Sequence, residues 1–165
     1  MHALVASVQS SFASLLECEL ERSELALSNG LSHDVSGIIG LTGLTNGLVA
    51  VSLSRSLALR TASSLLMEEI LEINDDVSDA VGELANMIVG SAKSKLETSQ
   101  IAITVPTVIV GDDHQFRFPA RAIPIRIPFH SDAGCCTLEI GLVDDWEPVE
   151  FNVELLKARL RAPVG

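Results

Sequence analysis

Glu83 and Asn86 stand three residues apart, and Asp79 precedes Glu83 by four. On a helix, residues at i and i+3 or i+4 lie on one face, so these side chains can converge on one target. An asparagine amide offers both an acceptor oxygen and donor N–H groups. It can therefore hold a water molecule in one orientation without taking its proton. A glutamate next to it offers a charge that can pair with a lysine.

The helix that must carry these residues runs from about Asp76 to Glu97. At about 100° per residue, Val77, Ala80, Val81, Leu84, Met87, Ile88 and Ser91 gather on one side as the core face. The opposite side carries Asp79, Gly82, Asn86, Gly90, Lys93 and Glu97, with Glu83 on its flank. A solvent face normally uses strong helix formers. A mid-helix glycine costs about 1 kcal/mol relative to Ala, and Asn roughly 0.6 kcal/mol. Gly82 and Gly90 also remove side chains beside Asn86, so that another backbone can approach. Two readings of this face stay open on the residues alone: an exposed polar surface with two tolerated glycines, or a docking surface.

Around this helix the chain predicts other elements. Val5, Val8, Phe12, Leu15 and Leu16 recur at helical spacing within Ala3 to Glu21, and Leu25 and Leu27 form a short extended piece. Val35 to Thr42 and Leu48 to Leu53 read as strands of a hairpin turning at Asn46-Gly47. A second helix, capped by Ser54 or Ser56, buries Leu57, Ala58, Ala62, Leu65, Leu66 and Met67 and ends near Leu71. Asn74, Asp75 and Asp76 then suit the start of the next helix. Beyond it, Ile101 to Val105, Thr107 to Val110, Phe116 to Ala122, Ile123 to Phe129 and Cys135 to Val143 read as strands, and Asn152 to Leu160 as a last helix. Pro119, Pro124 and Pro128 belong at strand ends, bulges or edges. Clustered strands argue for an α+β fold with a largely antiparallel sheet and helices on one face, in a single domain over residues 1–165.

Composition narrows the function further. The net charge is −11 and the eleven Lys and Arg residues are scattered. Nucleic acid is therefore disfavoured, because phosphate binding needs a positive footprint. Aromatic residues make up 4% of the chain, too few for a base-stacking platform. Val35 to Ser54 carries no charge, but its glycines and its Asn-Gly pair make it a hairpin rather than a membrane span. Cys18, Cys135 and Cys136 form no metal-binding or redox pattern, and His2, His33, His114 and His130 form no constellation. With no signal peptide in the sequence, a cytoplasmic location is expected.

The pattern Asp79-x-x-x-Glu83-x-x-Asn86, within DDVSDAVGELANMIVGSAKSKLE, resembles the active-site helix of the CheC/CheX/FliY chemotaxis phosphatases. Pro106 approximates a proline that follows in that family's pattern, and the segments IIGLTG, NGLVAVSLS and TVPTVIVG are similar to its flanks. CheC-type members carry two such helices. The first helix here has no Asn, so the resemblance is to the CheX type, and nothing like a surface-presentation domain follows Val143. The resemblance implies a CheC/CheX-like fold and a homodimer. It implies dephosphorylation of a phosphorylated CheY-like receiver, in which Asn86 orients the attacking water and Glu83 docks the receiver's lysine. Asp79, Gly82, Gly90 and Lys93 would contact the partner. Mg2+ would be held by the receiver, with no cofactor or metal on this chain. The alternative is a non-catalytic receiver-binding or scaffold protein of the same fold. A small-molecule-binding domain has no support beyond the apolar content.

Overall fold

The computed structural model describes residues 2–23, 26–27, 33–95, 100–112 and 114–144. The elements are α1 (His2–Leu16), β1 (Glu21–Arg22), β2 (Ala26–Leu27), β3 (Val35–Gly43), β4 (Thr45–Leu53), α2 (Arg55–Leu66), α3 (Asp75–Lys95), β5 (Ile101–Ile103), β6 (Thr107–Val110), β7 (Ile125–Ser131) and β8 (Gly134–Asp144). The strands form one sheet in the order β1-β7-β8-β4-β3-β5, with β2 also on β7 and β6 also on β3. Every pairing among the described strands is antiparallel. The architecture is α+β, as the clustering of strands predicts.

Register explains how the sheet carries the helices. Gly37 lies opposite Val51, Val51 opposite Leu138, and Leu138 opposite Ile127. Side chains alternate across a strand, so this row and its neighbours Ile39, Val49, Leu53, Cys136 and Phe129 form one apolar face, all of them buried. Helix α3 packs on β3, α2 on β8 and β4, and α1 covers both helices. The approach of α3 to the sheet depends on Gly37. A Cβ built there would stand 2.8 Å from the Ala85 Cβ and 3.0 Å from the Val81 carbonyl oxygen. Gly37→Val is accordingly expected to lower stability by about 1–3 kcal/mol. The check is the urea midpoint at unchanged slope.

The other face of the sheet is more polar. Ser36 donates to Ser52 at 2.7 Å, and Arg126 lies 3.8 Å from the fully buried Glu139. The expected strand Phe116 to Ala122 is absent. Its residues run irregularly across this polar face instead, with His114 Nε2 2.8 Å from Ser36 Oγ and the Phe118 ring where a Gly141 side chain would otherwise sit. Pro119 and Pro124 have no N–H to give a ladder, which disfavours pairing here. On β8, Cys135 is exposed and Cys136 buried, the opposite orientations that strand alternation demands. Burial, and then the neighbouring Cys135, pushes the Cys136 thiol well above its ordinary range.

The hairpin bend and the end of α2 differ from the sequence expectation, and the α2 cap holds with other hydrogen bonds. The hairpin bends at Leu44 rather than at Asn46-Gly47, both of which belong to β4. The Asn46 amide closes that bend by donating to the Gly43 carbonyl at 3.1 Å. Gly47 is needed for close approach, because a side chain there would collide with the Gly141 carbonyl. Ser54 does occupy the N-cap of α2, but its hydroxyl accepts the Cys135 N–H, and Asp34 takes the Arg55 N–H at 2.8 Å. Finally, α2 stops at Leu66 rather than near Leu71, because Met67 turns left-handed (φ 54°), and Leu66 and Met67 are exposed rather than on the core face. The proposed helix Asn152 to Leu160 and the extended residue Leu25 lie outside the described residues.

Candidate functional site

Helix α3 starts where its sequence says it should. Asn74 Oδ1 accepts the Val77 N–H at 3.1 Å, which satisfies one of the free donors of the first turn. Asp75 and Asp76 at this end and Lys93 and Lys95 at the other complement the helix dipole. The C-terminal half is tied to α1 through Ser7, whose hydroxyl lies 3.3 Å from Ser91 Oγ and 3.3 Å from Lys95 Nζ.

The helix is buried over more of its circumference than a simple amphipathic wheel predicts. Val77, Ala80, Val81, Leu84 and Ile88 are buried as expected, and Ala85, Val89 and Ala92 join them. Met87 and Ser91, expected in the core, are half-buried. Packing against the sheet, two helices and the β5–β6 edge leaves a narrow exposed stripe. It consists of Asp79 and Glu83, exposed, followed by Asn86, Gly90 and Lys93, half-buried. These positions are spaced i, i+4, i+7, i+11 and i+14, a line of about 21 Å at 1.5 Å per residue.

Gly82 is corrected from its expected place on the open face: it is buried. A Cβ there would lie 3.2 Å from Val108 Cγ2 and 3.6 Å from Pro106 Cβ. Its missing side chain admits the edge of the sheet, not an outside backbone. Gly90 is the opposite case. Nothing lies within 4 Å of a Cβ built at that position, so the helix has an open notch one turn beyond Asn86. Gly90→Ala therefore meets no obstruction and is expected to raise stability by about 0.5–1 kcal/mol. Thermal or urea unfolding checks this.

Among the described residues, no hydrogen bond or ion pair engages the side chains of Glu83 or Asn86. Both are one turn apart on the stripe, and both keep their full hydrogen-bonding capacity for something else. Nor, among the described residues, do three His, Cys, Asp or Glu side chains come together as a metal site. What sequence reasoning missed is the wall that Pro106 and Val108 build over Gly82. The signal for it was present in Pro106, a residue without an N–H set between two short strands.

The profile of the chemotaxis phosphatase CheX family matches residues 35–130. The CheY-P phosphatase CheX of Thermotoga maritima is 30% identical over 133 residues, covering 78% of this chain and 84% of that protein. The chain belongs to the CheX family. The match to the CheX profile spans β3 through most of β7, and so includes all of α3 and the Pro106 wall. Among solved CheX structures, the protein from Vibrio vulnificus is 29% identical with a TM-score of 0.79, covering 87% of this chain and 98% of that one. The CheX of the Borrelia burgdorferi CheX–CheY–BeF3–Mg2+ complex shares the fold at 23% identity and a TM-score of 0.74, covering 86% and 96% of the two chains. No described helix is long and apolar enough to cross a membrane.

Proposed function

We propose that this chain removes the phosphoryl group from the aspartyl phosphate of a CheY-like receiver domain. The observation that carries this reading is the pair Glu83 and Asn86, uncommitted and one turn apart on the exposed stripe of α3. Two relatives support the choice of substrate: one is named a CheY-P phosphatase, and another was crystallised with CheY.

In the reaction, water attacks phosphorus, the bond between phosphorus and the aspartyl oxygen breaks, and the products are inorganic phosphate and the free aspartate. The Asn86 carbonyl accepts a hydrogen bond from the attacking water, and its N–H groups donate toward the phosphoryl oxygens. Water is thereby held in line with the leaving oxygen. Positioning of this kind suffices in phosphoryl transfer, where there is little covalent work for the protein to do. An amide also takes no proton, so the step does not depend on a tuned pKa. Glu83 pairs with a lysine of the receiver and fixes Asn86 over the phosphorus. The Mg2+ that neutralises phosphoryl charge belongs to the receiver. Asp79 and Lys93 extend the contact toward the two ends of the stripe, and the Gly90 notch lets the receiver backbone approach Asn86.

The test is phosphate release from a panel of phosphorylated receivers with this protein present below stoichiometry. Acceleration with multiple turnovers of at least one receiver is the expected result. Stable binding to a receiver with no faster loss of phosphate would instead assign the stripe to a scaffold.

A further inference from the structure

The edge of the sheet beside α3 contains a bulge. Leu41 pairs with Ile103 and Ile38 with Thr107, so Ile39 and Gly40 of β3 stand opposite Thr104, Val105 and Pro106. One extra residue on an edge strand bends it and re-aims a side chain, and such bulges recur next to active sites. This one is held at both ends. The Thr104 N–H donates to the Gly40 carbonyl at 2.9 Å, and Thr104 Oγ1 accepts the Gly40 N–H at 2.9 Å. At the other end, Pro106 and Val108 cover Gly82 of α3. Between these fixed points Val105 is turned outward and is 84% exposed.

An exposed valine alone is ordinary. Here the side chain is β-branched and therefore stiff, the backbone beneath it is pinned, and the next residue covers the helical position just before Glu83. Through Pro106, whose Cβ is 3.6 Å from a Cβ built at Gly82, this edge borders the part of α3 that carries Glu83. We infer that Val105 is a docking residue: it forms an apolar contact with the receiver surface bordering the phosphorylated aspartate and helps set which receivers are accepted. The inference rests on the proposed receiver phosphatase activity and adds to it an apolar contact outside the helix. A small apolar group excluded from water beside a polar contact strengthens the interaction by removing its own area from solvent and by shielding the neighbouring ion pair.

The experiment compares the intact wild-type chain with Val105→Asp, Val105→Ala and Val105→Ile. Affinity is measured for a receiver loaded with beryllofluoride and Mg2+, and steady-state rates for the phosphorylated receiver. Thermal melts serve as the folding control. Val105→Asp is expected to raise both the dissociation constant and the KM about tenfold, the change equivalent to about 1.4 kcal/mol. Its kcat stays near the wild-type value, Val105→Ala falls between, and Val105→Ile binds like wild type. Folded Val105→Asp with unchanged affinity and KM would overturn the inference while leaving the phosphatase reading intact. Should the wild type bind but not accelerate phosphate loss, the phosphatase reading fails and the affinity series still decides for or against Val105. If no receiver binds the wild type, both fail.

Discussion

Asn86→Ala is expected to leave a folded protein with at least about a hundredfold lower rate of receiver dephosphorylation. The magnitude follows from what orientation contributes: misplacing a reacting group by about 1 Å is enough to cost 10²-fold. Without the amide, water near the phosphorus has no acceptor fixing its direction. The variant tests chemistry rather than folding for a structural reason. Asn86 is half-buried on the stripe and makes no side-chain hydrogen bond to a described residue. Alanine is the better helix former by roughly 0.6 kcal/mol, so the variant is expected to be no less stable than wild type. A melting curve together with single-turnover rates checks both statements.

The second large effect belongs to Glu83. Removing one partner of a hydrogen-bonded charge pair at an interface costs about 2–5 kcal/mol, and reversing its charge adds repulsion. Glu83→Lys is therefore expected to weaken receiver binding by at least about thirtyfold, seen as a raised KM and a faster off-rate. Fold stability should change little, since Glu83 is exposed and makes no ion pair with any described residue. A receiver variant in which the active-site lysine becomes glutamate should recover part of the loss. Recovery by charge exchange is a signature that general surface disruption would not give.

The helix α3 and its stripe were legible in the sequence because both depend on local periodicity. Val77, Ala80, Val81, Leu84 and Ile88 mark the core face at helical spacing, and Asp79, Glu83, Asn86, Gly90 and Lys93 fall along one line. Gly82 could not be read this way. Its burial comes from Pro106 and Val108, which lie beyond another strand in the chain. A helical wheel contains no information about which neighbours arrive on its flank. The hairpin shows the same limit. Asn46-Gly47 carries a strong local turn signal, but pairing with β3 and β8 holds both residues in β4 and moves the bend to Leu44. At the end of α2, apolar Leu66 and Met67 read as a continuing helix face that ends near Leu71, whereas the chain leaves the helix at Met67 and exposes both. The segment Phe116 to Ala122 reads as a strand from its sequence. Its prolines and the polar groups waiting on the second face of the sheet decide otherwise, with His114 bound to Ser36 and Phe118 over Gly141. Local patterns thus located the stripe on α3, and long-range packing shaped the wall beside it.

The most direct measurement is the rate of phosphate loss from a radiolabelled receiver at saturating protein, for wild type and Asn86→Ala side by side. Saturation removes binding from the comparison and isolates the step that Asn86 is assigned. The account predicts fast loss with wild type and a rate close to the receiver's own spontaneous hydrolysis with the variant. Equal rates for two folded, receiver-bound proteins would contradict it.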